Sequence, residues 1–122
     1  MSNELNRIDD VVIFEEDQAY SRDTGTIASG SNLTVGAVLG IVTSNGKYAI
    51  HNPGASDGTE TVAGVLLSDA DAASEDVVGA LILSRHARVR RDGLNYHSSI
   101  DTTGERDTVA QGLKALGILA VR

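Results

Sequence analysis

The chain has no cysteine among its 122 residues. Disulfides, thiolate metal sites and catalytic thiols are therefore excluded, which fits assembly in a reducing cytoplasm. Aromatic side chains are scarce: Phe14, Tyr20, Tyr48 and Tyr96 are the only four. Alanine, valine, leucine and isoleucine must supply the core. One proline stands against thirteen glycines, a ratio that points to many turns. Long apolar runs are missing too. The longest, Val77 to Leu83, is far short of the roughly 20 residues that span a bilayer as a helix. The opening Met-Ser-Asn-Glu has neither a basic segment nor an apolar core, so neither secretion nor membrane insertion is expected.

What remains is enough for one domain, or one domain with a tail. A chain of this size buries about two thirds of its unfolded surface. The net charge of −7 is unevenly spread. Residues 1–30 hold seven acids against two bases, and residues 31–122 hold ten against eight. A free nucleic-acid binder normally carries the opposite sign.

The densest local signals lie between Gly36 and Leu67. Val38 to Thr43 is short, apolar and rich in β-branched residues, and Lys47 to His51 alternates. Asn45-Gly46 between them predicts a hairpin with a type I′ turn. Asn52-Pro53-Gly54 ends the return strand, Asp57-Gly58 is a further turn, and Val62 to Leu67 is a third strand. Val77 to Ser84 is apolar on both alternating faces. It is expected to be buried on both, in the core or against a second subunit. Ala87 to Arg90 alternates, with a turn at Asp92-Gly93. The C-terminal segment predicts one helix. Thr102 and Glu105 have capping-box spacing, Val109, Leu113 and Leu116 form one stripe, and Gly117 suits a left-handed stop. Gly112 inside it costs about 1 kcal/mol against alanine unless close packing requires it. Ile118 to Val121 is a final strand.

The N-terminal third reads differently. Residues 1–10 are polar and without periodicity. Val11, Val12, Ile13 and Phe14 form an apolar, β-favouring island between acids. Two readings stand: a core strand guarded by charge, or a strand offered to another chain. Tyr20 to Asn32 is rich in serine, threonine and glycine and reads as a linker. The expected organisation is an extended acidic arm over 1–30 and a β-rich domain over 31–122. The fold class is mainly β (α+β), compact, with a C-terminal helix.

Candidate chemistry is sparse. The acidic stretch Ser68 to Asp76 fails the EF-hand pattern. Counted from Asp69, the sixth position is Ser74 rather than glycine and the twelfth is Ala80 rather than glutamate. His51, His86 and His97 fall on separate elements and read as scattered surface histidines. Neither a Gly-x-Ser-x-Gly turn nor a glycine-rich phosphate loop occurs. No catalytic residue, metal ligand or cofactor is expected. Arg85, Arg88, Arg90 and Arg91 form the one basic cluster. It reads as a solvated strand face, as salt bridges to a subunit or partner, or as a nucleic-acid contact, and the last lacks stacking aromatics beyond Tyr96.

Four pieces in order, Gly36 to Gly40, Gly46 to Tyr48, Asn52 to Gly58 and Ala63 to Leu66, resemble the lambda-type phage head decoration proteins. The end Gly112 to Val121 matches as well. The resemblance runs from about Gly30 to Arg122 and leaves the first thirty residues unmatched. It implies a capsid-stabilising cement protein, not an enzyme. Such proteins form homotrimers on the outer surface of the expanded icosahedral shell, at three-fold and local three-fold positions. They hold it against internal DNA pressure after assembly in the host cytoplasm. The implied partners are the major capsid protein and the chain itself, with no nucleic acid and no membrane. It favours Val11 to Phe14 as a capsid-binding strand, with the arginine cluster at the subunit or capsid contact. Alternatives from the residues alone are a non-viral β-barrel binding module and a small hydrolase with a dispersed site.

Overall fold

The structure, a computed structural model, describes residues 11–15, 21–90, 93–97, 100 and 103–121. Its centre is a closed five-stranded barrel. The strands are β2 (Arg22–Ile27), β4 (Val38–Ile41), β5 (Tyr48–Ile50), β6 (Gly64–Leu66) and β8 (Val77–Leu83). Their order around the barrel is β2-β5-β4-β6-β8. The β2–β5 pair is parallel and the rest are antiparallel. The closing contact between β2 and β5 is the one pair Ile27 opposite Tyr48. A small ribbon joins β3 (Ser31–Leu33) to β7 (Ala70–Ala72). A second sheet has the order β1-β9-β10, from β1 (Val12–Glu15), β9 (Ala87–Arg90) and β10 (Ile118–Val121). The helix α1 (Thr103–Ala115) precedes β10.

Two cores follow from the two-residue strand period. Ile27, Leu39, Leu66, Ala80 and Ile82 fill the barrel. Their neighbours Val38, Val65 and Leu83 point the other way. They pack with Val11, Val89, Val109, Leu113 and Ile118 from the second sheet and the helix. Burying each such aliphatic side chain is worth about 1.5–3 kcal/mol. Both faces of β8 are thus covered by this chain's own elements at its C-terminal end. At the other end this chain alone does not bury both faces. Val78 is 81% exposed, because an irregularity between Gly25 and Ile27 of β2 puts an extra residue into β8 near Gly79, whose φ is +79°.

The hairpin forms with β4 antiparallel to β5, Leu39 opposite Ile50 and Ile41 opposite Tyr48. Its turn is not type I′. Gly46 has φ +72° while Asn45 does not enter the left-handed region. Val42 N–H donates to Lys47 O, and Gly46 N–H donates to Val42 O. The loop is therefore longer, with one left-handed glycine. Gly117 ends α1 at φ +82° as expected. Gly112 is explained by close packing, since a Cβ there would lie 2.9 Å from Val62 Cγ2. The cap expected at Thr102, Asp92 of the turn, and residues 1–10 lie outside the described residues.

The expected boundary at residue 30 needs correction. Arg22–Ile27 is a full barrel strand, paired along its length with β8 from Arg22 opposite Leu83 to Ile27 opposite Val77. Ser31–Leu33 is the partner of β7, so the acidic Ser68 to Asp76 loop also contains a strand. Within the Ser/Thr/Gly stretch, residues 22–27 and 31–33 are strands, and Gly25 sits where a Cβ would meet the Tyr48 ring.

Candidate functional site

Among the sequence-derived candidates, the structure brings two groups onto one sheet. Val12 of β1 pairs antiparallel with Val89 of β9, Phe14 with Arg88, and Glu15 with Ala87. The island Val11, Val12, Ile13 and Phe14 is thus joined to the arginine strand within one chain. Val11 is fully buried in the helix-side core and Val12 packs against that core. The side chains of this island whose burial is described, Val11 and Val12, pack within the chain itself. Val11 as a freely offered side chain is corrected, because 0% of it is exposed.

On β9, Ala87 and Val89 face the core while Arg88 and Arg90 face outward. Parallel pairing with β10 sets Leu119 beside Arg88 and Val121 beside Arg90. Leu119 is 42% exposed. The outer face therefore carries two cationic side chains next to an exposed aliphatic one. Among the described residues, neither arginine has an acidic partner. Beside β10 lies a cleft of about 540 Å³, walled by Asp107, Gln111 and Lys114 of α1 and by Leu119 to Val121. Leu119 thus belongs to both the sheet face and the cleft rim.

Arg85 is separate from that face. Its Nη2 donates to Asp23 Oδ2 of β2 at 2.5 Å. The guanidinium bond holds the Asp23 carboxyl below its ordinary value. Of the four arginines, Arg85 serves an intrachain ion pair, Arg88 and Arg90 share the outer face, and Arg91 lies outside the described residues. The expected cluster is therefore two sites.

The histidines also part company. His51 is only 5% exposed, against the expectation of a surface histidine. His51 N–H donates to Val38 O at 2.8 Å, and its ring Nε2 lies 3.1 Å from Glu60 O. Ring Nδ1 is buried with no hydrogen-bond partner. Burial pushes the ring below its ordinary 6.5, against the opposing bond to the Glu60 carbonyl and with a smaller push from His97. Nothing in the alternation of Lys47 to His51 separated this residue from its neighbours. The signal sits in the loop that folds back over it.

A search of curated proteins finds no match for this chain. A family model described as bacteriophage lambda head decoration protein D matches residues 1–118. The match includes the first thirty residues, which the motif resemblance had left out.

Proposed function

We propose, from the premise that the chain belongs to the bacteriophage lambda head decoration protein family, that it is a cement protein of a phage capsid. The family's role is structural and its setting is the phage head. In this reading the protein forms homotrimers that bind the outer surface of the expanded icosahedral shell. They occupy three-fold and local three-fold positions, contact the major capsid protein, and hold neighbouring capsomers against the pressure of packaged DNA. Assembly takes place in the host cytoplasm.

The observation that carries the reading is the family match over nearly the whole chain. The outer face of the β1-β9-β10 sheet supports it as the contact, with Arg88, Arg90 and exposed Leu119 side by side. Val11, Val12, Ile13 and Phe14 are the capsid-binding strand in this reading, anchored to the body by buried Val11. A trimer multiplies each such contact through effective concentration.

Light scattering tests this directly, first on the free protein at micromolar concentration and then with purified expanded shells. The expected result is a trimer mass, followed by saturable binding that raises the shell's melting temperature. A monomer, or shells left bare and no more stable, overturns the reading.

A further inference from the structure

The connection from β5 to β6 folds back over β4, and just past that strand Thr43 N–H donates to Asp57 O of the loop at 2.8 Å. His51 N–H donates to Val38 O, Asn52 N–H to Thr59 O at 3.0 Å, and Ala63 N–H to Leu39 O at 2.7 Å. Thr59 lies flat against Gly40, where a Cβ would sit 2.6 Å from Thr59 Cα. The side chain closing this arrangement is His51, whose ring spans from the end of β5 to the carbonyl of Glu60.

A neutral imidazole carries one N–H. Because a carbonyl can only accept, the ring proton of the seated His51 is on Nε2, and Nδ1 is bare. That bare nitrogen is buried without a partner. A second proton would put an N–H, and a full positive charge, where no acceptor lies within reach. Leaving a buried charged donor unpaired is costly. The ring therefore either refuses the proton or leaves its seat.

We propose that His51 is an acid-sensitive latch. Neutral, it pins the 52–62 loop onto β4; protonated, it releases that loop while the barrel stays closed.

The surroundings isolate the response. From the 93–97 segment the titratable group felt at the ring is His97. From the loop, Glu60 presents its backbone carbonyl, while its carboxylate accepts from Gly58 N–H. Asp57 accepts from the Thr59 hydroxyl and N–H, and these bonds hold its carboxyl below the ordinary 3.8. None of these bonds within the 57–60 turn uses the His51 ring. The sign follows from burial lowering the ring's proton affinity in the folded state. The folded protein binds fewer protons than the unfolded chain, so the seat's stabilisation is complete above about pH 6.5 and drains away as pH falls.

The test is amide hydrogen exchange on the full chain, corrected for intrinsic rate, at about pH 7.5 and about pH 5. The expected result is that protection of Thr43 and Asn52, whose N–H groups donate to Asp57 O and Thr59 O of the loop, falls by about tenfold or more relative to Val65 and Leu66 in the barrel. His51→Gln keeps a donor for the Glu60 carbonyl without a titrating ring, and should abolish the pH dependence. His97→Gln should leave most of it. If protection falls equally across loop and barrel, if it does not fall, or if the response persists in His51→Gln, there is no latch at His51. Should His51→Gln fail to fold, an NMR titration of the native ring decides. A midpoint at the ordinary histidine value with unchanged loop shifts overturns the proposal.

Discussion

Gly40 sits where two backbones meet. A Cβ there would be 2.6 Å from Thr59 Cα and 2.8 Å from Thr59 O, and neither atom is the end of a flexible side chain. The β4 strand and the returning loop would have to separate, an overpacking cost of about 1–3 kcal/mol. Gly104 offers the opposite case in the first turn of α1, with nothing within 4 Å of its would-be Cβ. Alanine there stiffens the unfolded chain and suits the helix, for a gain of up to about 1 kcal/mol. Urea denaturation of Gly40→Ala and Gly104→Ala should therefore show shifts of opposite sign. Equal or like-signed shifts would mean that the β4–loop contact is looser than the distances say. Gly40 was legible in sequence only as part of a strand. Its function as a contact point depends on a loop about twenty residues away, which periodicity does not reach.

Elements were legible where their signals are local. The Asn45-Gly46 hairpin, the alternating β9, and the helix with its Gly117 stop all depend on neighbours within a few residues. The N-terminal strands were not, because their reasons lie across the fold. Gly25 makes β2 look like a linker. It is glycine because the Tyr48 ring lies over it, with Cε1 2.5 Å from where a Cβ would be. The acids around Val11 to Phe14 suggested an arm, yet Val11 fills a gap in the helix-side core. Charge composition marks what flanks a strand, not which partner the strand takes. Truncation separates these readings. Deleting residues 1–10 leaves β1 and β2 intact and should preserve the circular dichroism spectrum and cooperative melting. Deleting residues 1–30 removes β1 and opens the barrel between β5 and β8, and should leave no cooperative transition. A stable, cooperatively melting 31–122 fragment would restore the arm as a separable unit.

At the scale of the whole molecule, the sheet carrying Arg88 and Arg90 contributes little to folding through those two side chains. Both are exposed, and charges so placed usually change stability by less than about 0.5 kcal/mol. Their worth in the proposed assembly is different. An exposed ion pair contributes about 0.2–1 kcal/mol. Taken at about 0.5 kcal/mol over both arginines in three subunits, the sum is about 3 kcal/mol, or roughly a hundredfold in affinity. The double variant Arg88→Glu, Arg90→Glu should therefore lose shell occupancy by about two orders of magnitude at low salt, and the gap should narrow as salt screens the contact. Its melting temperature should stay within a few degrees of the parent, since neither side chain has an acidic partner among the described residues. Arg85→Glu is the control with the reverse signature. It breaks the bond to Asp23 and sets two carboxylates together between β2 and the end of β8, so it should lower the melting temperature before it alters shell binding. If the double variant decorates shells as well as the parent at every salt concentration, the capsid contact lies elsewhere. The outer face of the β1-β9-β10 sheet would then be solvated surface, as one reading of the arginine cluster already allows.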